Sequence, residues 1–232
     1  FEHAANIVRQ IGKVNAAQGV RGALKFQFRQ LDTFIHPDFQ GRMDHKYVKR
    51  FSETRLSMEE FARLVPLVSK AGLLTMSTPF DEESVDVICD MGLDIIKIAS
   101  CSADDRPLIE KVARVNKPVV VSTAGLRTDE IDWLVNFLES ERVNFALMHC
   151  VAIYPTADGK LQLDQVRQLK ARYRGLPVGW STHENPANTA APASAGADRN
   201  RSTAMRDANR RADQGQTTTA VAHELWDRIA PR

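Results

Sequence analysis

Six short apolar runs, at residues 23–28, 73–77, 94–99, 118–122, 144–149 and 177–180, recur along the chain and limit what it can fold into. The intervening segments carry apolar residues at helical spacing, as in 57–68, 82–91, 107–115, 129–140 and 163–173. A further amphipathic stretch, residues 4–15, precedes the first run. Short buried strands alternating with helices predict βαβ units and a parallel sheet. Crossovers of that kind are right-handed in nearly all cases. A doubly wound open sheet and a closed barrel both fit the pattern. No GxGxxG or GxxxxGK[ST] phosphate loop is present, which disfavours a nucleotide-binding α/β fold.

Some local signals are sharp. Ser57-Met-Glu-Glu60 is a capping box that opens a helix. Pro66 inside that helix predicts a kink or an early stop. Gly92 predicts a C-terminal cap for the helix ending at Met91. Residues 29–56 predict a long polar loop.

The remaining composition excludes several classes. A net charge of +2 exerts no long-range pull on nucleic acid or anionic lipid. The chain has 43% hydrophobic residues, enough for a sizeable core, and no apolar run of membrane-spanning length. Cys89, Cys101 and Cys150 are odd in number and widely spaced. Their number and spacing predict a reducing cytoplasm, and Cys101 and Cys150 read as packing residues. Residues 186–216 contain no Val, Ile, Leu or Phe, and all ten lysines fall at or before Lys170. The segment 186–232 is therefore expected to be disordered, either as a native flexible tail or as sequence from another reading frame.

Each predicted strand carries polar residues at its C-terminal end: Lys25 and Gln27, Ser77 and Thr78, Lys97 and Ser100, Ser122 and Thr123, His149, and Ser181 with His183. Parallel α/β sheets bind ligands at that edge. Lys25 and Lys97 stand inside apolar runs, where an unpaired ammonium is costly. Three readings fit them. They could pair with Asp or Glu inside the fold, cradle a phosphate or carboxylate together with hydroxyls, or form a Schiff base. His183, beside Ser181 and Glu184, is a candidate metal ligand. His149 reads as a hydrogen-bonded core or site-floor residue.

Taken together, the runs Lys25-Phe-Gln27, Ser77-Thr-Pro-Phe-Asp81, Lys97-Ile-Ala-Ser100, Lys117-Pro-Val-Val-Val-Ser-Thr123, Tyr154-Pro-Thr156 and Gly179-Trp-Ser-Thr-His183 resemble the N-acetylneuraminate (sialic acid) synthases and related spore-coat polysaccharide proteins. The resemblance covers about residues 1–185. It implies a (β/α)8 TIM barrel and condensation of phosphoenolpyruvate with N-acetylmannosamine or a related amino-sugar, with release of phosphate. It implies a divalent metal, Mn2+ or Mg2+. Carried over residue by residue, Lys25, Thr78, Lys97, Ser100, Ser122, Tyr154 and Ser181 resemble the phosphoenolpyruvate pocket. Gln27 resembles a sugar-side residue and His183 a metal-binding histidine. The resemblance also implies a cytoplasmic enzyme of sugar biosynthesis and admits a homodimer for a full-length parent.

The chain departs from the family pattern in several places. The family's first strand, with its Glu, precedes the stretch seen here. Nothing after residue 185 matches the eighth strand's Glu-Lys-His. Ser100-Cys-Ser102 and Ser181-Thr-His183 replace Ser-Gly-Asp/Glu and Ser-Asp-His, and Ala152 stands where Asn is common. These changes resemble a divergent branch. They lead to the expectation of an incomplete barrel, strands two to seven, that is weakly active or inactive. The alternatives are a class I aldolase using Lys97 and a non-catalytic barrel remnant that only binds ligand.

Overall fold

The computed structural model describes residues 1–19, 21–153 and 156–181. Within them, six strands form one parallel sheet in sequential order. The strands are β1 (Ala23–Phe28), β2 (Leu74–Pro79), β3 (Ile95–Ile98), β4 (Val119–Ser122), β5 (Phe145–Cys150) and β6 (Val178–Ser181). The α-helices are α1 (Glu2–Gln18), α2 (Leu31–Phe34), α3 (Lys46–Glu53), α4 (Met58–Lys70), α5 (Glu82–Asp90), α6 (Arg106–Ala113), α7 (Thr128–Ser140) and α8 (Asp164–Arg172). The strand order never reverses. A doubly wound sheet needs a switch point, so that alternative falls away. Sequential right-handed βα units are the construction of a (β/α) barrel. No helix among the described residues is long and apolar enough to cross a membrane.

Successive strand residues point to opposite faces, and the core divides accordingly. Leu24, Phe26 and Phe28 of β1, Ile96 and Ile98 of β3, and Val119 and Val121 of β4 face the helices. There they meet Leu64, Val68, Ile88, Leu108 and Leu134, all with no exposed surface. Each such burial stabilises by about 2 kcal/mol. The other face carries its own small cluster of Ala23, Met76, Ile95, Val120, Ala146 and Met148. That cluster is the floor of the barrel interior.

Local chemistry sets the element ends. Glu60 N donates to Ser57 Oγ at 3.2 Å, and Ser57 N donates to Glu60 Oε2 at 2.9 Å, completing the expected capping box of α4. Asp81 caps α5 by accepting from Ser84 N at 2.8 Å. Gly92 takes the left-handed conformation just past α5, with φ of 67°, which a glycine adopts without strain.

Two expectations fail here. Residues 29–56 are not a plain loop, since they hold α2, a 3-10 turn (Pro37–Phe39) and α3. These elements are short, and ring contacts from Phe34 to Phe51 and to Phe80 tie them to each other and to the end of β2. Of the kink or early stop expected at Pro66, the early stop is absent, because α4 runs on to Lys70. Proline removes one hydrogen bond, whereas Leu64 and Val68 anchor both sides of it in the core.

Candidate active site

Strand parity decides which polar residues reach the barrel mouth. Lys25 and Gln27 follow Ala23 on its face of β1. Thr78 follows Met76 on β2, Lys97 follows Ile95 on β3, and Ser122 follows Val120 on β4. Cys150 follows Met148 on β5 and is in register with Ser181 on β6. Gln27 and Thr78 are paired neighbours across β1 and β2. The inner face therefore grades from an apolar floor to a rim of two ammonium groups, hydroxyls, an amide and a thiol.

The lysines lie close enough to repel each other. Lys25 has its pKa lowered to about 7, first by burial, then by the charges of Lys97 and Arg29. Burial also lowers the pKa of Lys97, against the opposing influence of the Cys150 and Cys101 thiols. Neither ammonium has a carboxylate partner among the described residues, so the expected alternative of an internal ion pair is not found there. Beside them, Thr78 Oγ1 and Ser122 Oγ are buried without a hydrogen-bond partner. Thr78 is 1% exposed and Ser122 2%. Buried hydroxyls in native folds are nearly always satisfied. Two unsatisfied hydroxyls on the same face as two cations, without a carboxylate partner among the described residues, are donors that an anion can satisfy.

Ser100 sits in the 3-10 turn after β3 (Ser100–Ser102). Its Oγ accepts from Ala124 N at 3.2 Å and lies 3.2 Å from Cys150 Sγ. The hydroxyl thus ties the ends of β3, β4 and β5 together at the rim.

Other residues depart from their expected places. His149 and Ser77 belong to the opposite strand face. His149 is buried, with Nε2 2.9 Å from Leu161 O, and burial lowers its pKa. This matches the core reading and takes it away from the mouth. Ser77 Oγ is also buried without a partner, but it pairs in register with the outward Phe26. Tyr154 and His183, like the segment 186–232, lie outside the described residues.

A divalent cation does not fit the described residues. No group of three or more His, Cys, Asp or Glu among them could hold a metal. The mouth offers ammonium and hydroxyl donors, whereas hard cations need carboxylate and carbonyl oxygens.

Two contributors were missed from sequence. Cys150 reads as packing but stands on the inner face, which the alternation from Met148 signals. Arg29, just past β1, donates from Nη2 to Gln27 Oε1. Its guanidinium lies 4.4 Å from the ring centres of both Phe51 and Phe80, and 5.3 Å from that of Phe34.

The chain matches the NeuB family model over residues 13–198. It is 33% identical to spore coat polysaccharide biosynthesis protein SpsE of Bacillus subtilis over 78% of this chain and 50% of that protein. It is 32% identical to the N,N'-diacetyllegionaminic acid synthase of Campylobacter jejuni over 60% of this chain and 42% of that enzyme. The chain thus spans about half the length of the curated relatives it matches. Among solved structures, a provisionally named spore coat polysaccharide biosynthesis protein E from Chromobacterium violaceum superposes with a TM-score of 0.82 at 39% identity. That match covers 97% of this chain and 75% of the other.

Proposed function

The chain belongs to the NeuB family, and on that ground we propose that its parent protein condenses phosphoenolpyruvate with an N-acetylmannosamine-like amino-sugar aldehyde. The product is a sialic-acid-type nonulosonate, and inorganic phosphate is released. The observation that carries this is the pair of desolvated lysines, half-buried Lys25 and buried Lys97, without a carboxylate partner among the described residues, on the face of the unsatisfied Thr78 and Ser122 hydroxyls. Phosphoenolpyruvate presents a carboxylate and a phosphate on three carbons, and two ammonium groups with hydroxyl donors are the complementary chemistry for both.

The proposed chemistry follows from that grip. Lys25 and Lys97 hold the two anionic groups, with Thr78, Ser100, Ser122 and Ser181 donating hydroxyl hydrogens. The enol C3 attacks the aldehyde carbon, water adds at C2, and the proton that the water gives up passes to the former aldehyde oxygen, which becomes a hydroxyl. The C2–O bond to phosphate then breaks, and the ammonium groups stabilise the charge that develops on the departing phosphate. Gln27 lies on the sugar side of the mouth. Tyr154 stays in the proposal as a further pocket residue. Manganese or magnesium enters it through His183 alone, and no step above depends on that metal.

A second reading has one supporting observation. Burial lowers the pKa of Lys97, which favours the free amine that a Schiff-base aldolase requires. Two assays separate the readings. Phosphate release from phosphoenolpyruvate plus N-acetylmannosamine, in the presence of manganese, supports the condensation. A borohydride-trapped pyruvate adduct on Lys97, with no phosphate release, replaces it with the aldolase.

A further inference from the structure

We propose that Arg29 is a positioning residue that fixes the orientation of the Gln27 amide, presenting its Nε2 hydrogens to the acceptor sugar. This rests on the condensation proposed above and adds to it the residue that sets how the acceptor is read.

A guanidinium has five N–H donors and no acceptor. The Gln27 atom that Arg29 meets is therefore the carbonyl oxygen, Oε1. With Oε1 engaged, the amide nitrogen keeps its two donors for the mouth. Gln27 is exposed at the end of β1, paired with Thr78, so an incoming ligand can reach it. Without the Arg29 guanidinium, the amide is free to turn over and offer an acceptor in place of a donor.

Arg29 is itself held in place by aromatic rings, with no ion pair to a carboxylate among the described residues. The rings of Phe51 and Phe80 lie 4.4 Å from the guanidinium, and Phe34 closes a third side. Phe34 in turn makes edge contacts to Phe51 at 5.8 Å and to Phe80 at 5.6 Å. Asp81 is the nearby acid, but Oδ2 accepts from Gln30 N and Oδ1 from Ser84 N. A planar cation clamped by rings has little rotational freedom, a property lysine does not share. Beside Lys25 and Arg29, an amide donor favours an oxygen on the sugar, such as the carbonyl of an N-acyl group. A protonated free amine there meets donors and like charge.

The test uses steady-state phosphate release by the whole protein, with separate KM values for N-acetylmannosamine and phosphoenolpyruvate. At pH 6, where Lys25 is protonated with or without the Arg29 charge, Arg29→Gln should raise the sugar KM about tenfold and leave the phosphoenolpyruvate KM within about twofold. Gln27→Glu replaces the donor with an acceptor and should raise the sugar KM likewise, with Arg29 still present. Arg29→Lys keeps a donor and should restore part of the sugar affinity. Equal changes in both KM values, or a wild-type sugar KM in Gln27→Glu, overturn the proposal. A nitrogen–proton spectrum of the side-chain amides reads the orientation without turnover. The Gln27 signals, assigned by their loss in Gln27→Glu, should shift in Arg29→Gln, and unchanged signals also overturn it. If the wild type releases no phosphate yet these signals shift, the condensation fails while the Arg29–Gln27 hydrogen bond stands.

Discussion

Ser77 and Thr78 are successive residues of β2, both buried and both with an unpartnered hydroxyl, yet they face opposite sides of the sheet. Thr78 shares the face of Met76 and the lysine cradle, while Ser77 is in register with Phe26 among the helices. The same chemical group one residue apart should therefore behave differently when removed. Thr78→Val preserves shape and should weaken phosphoenolpyruvate binding about tenfold without loss of stability. Ser77→Ala removes a buried unsatisfied group and should leave binding unchanged and the melting temperature equal or slightly higher. Titration calorimetry and thermal melts check both. Equal binding losses in the two variants would show that parity does not define the site.

The charge of Lys25 should set the pH dependence of ligand binding. With a pKa of about 7 in the free protein, it is protonated below that pH and largely neutral above it. An anion binds the protonated form, so binding above pH 7 must draw in a proton. The dissociation constant for phosphoenolpyruvate should rise by up to about tenfold for each pH unit above 7. Lys25→Arg keeps its charge throughout and should flatten that rise between pH 7 and 8.5. Calorimetry in buffers of different ionisation enthalpy reads the proton uptake directly.

The same residue links stability to pH with a definite sign. The unfolded chain holds the Lys25 proton up to the ordinary lysine value of 10.5, whereas the folded chain releases it near 7. Between those values the unfolded state binds more protons, so this contribution to stability rises with pH. Below pH 7 both states are protonated, and the burial penalty is present in full. Lys25→Met should therefore stabilise the protein at pH 6 by about 2–4 kcal/mol, and the gain should vanish toward pH 10.5. Denaturant unfolding of both proteins across that range measures the difference. The same variant should lose phosphoenolpyruvate binding, separating function from stability at one position.

Much of this was legible in the chain. Apolar residues flanking a lysine on both sides identify β1 and β3, and period-two alternation from Ala23, Met76, Ile95 and Val120 places Lys25, Thr78, Lys97 and Ser122 on one face. The Ser57 and Glu60 capping box needed only local spacing. What stayed hidden depends on distant partners. Arg29 is a polar residue at a strand end until Phe51 and Phe80, far along the chain, close on it. Residues of α2 and α3 are mostly polar, and the ring contacts that order them cross from one element to another.

The packing of α1 against the end of α4 offers a test of the scaffold apart from the site. A Cβ built on Gly12 would stand 2.7 Å from Ala71 Cβ and 3.1 Å from Ala71 O. Gly12 has no positive φ, so its role is close approach and not an unusual backbone. Gly12→Ala gains about 1 kcal/mol of helix propensity but must push α1 outward. Ile7, Val8 and Ile11 of that helix sit in the main core with Leu24 and Phe26. Overpacking of this kind costs about 1–3 kcal/mol, and part of the clash is with backbone that cannot turn aside. The variant should melt lower by a few degrees, while phosphoenolpyruvate affinity at low temperature stays unchanged. Ala71→Gly removes the closer obstacle and should recover part of the loss in the double variant. A coupling energy near zero in that double-mutant cycle would show that the two helices do not meet at this pair.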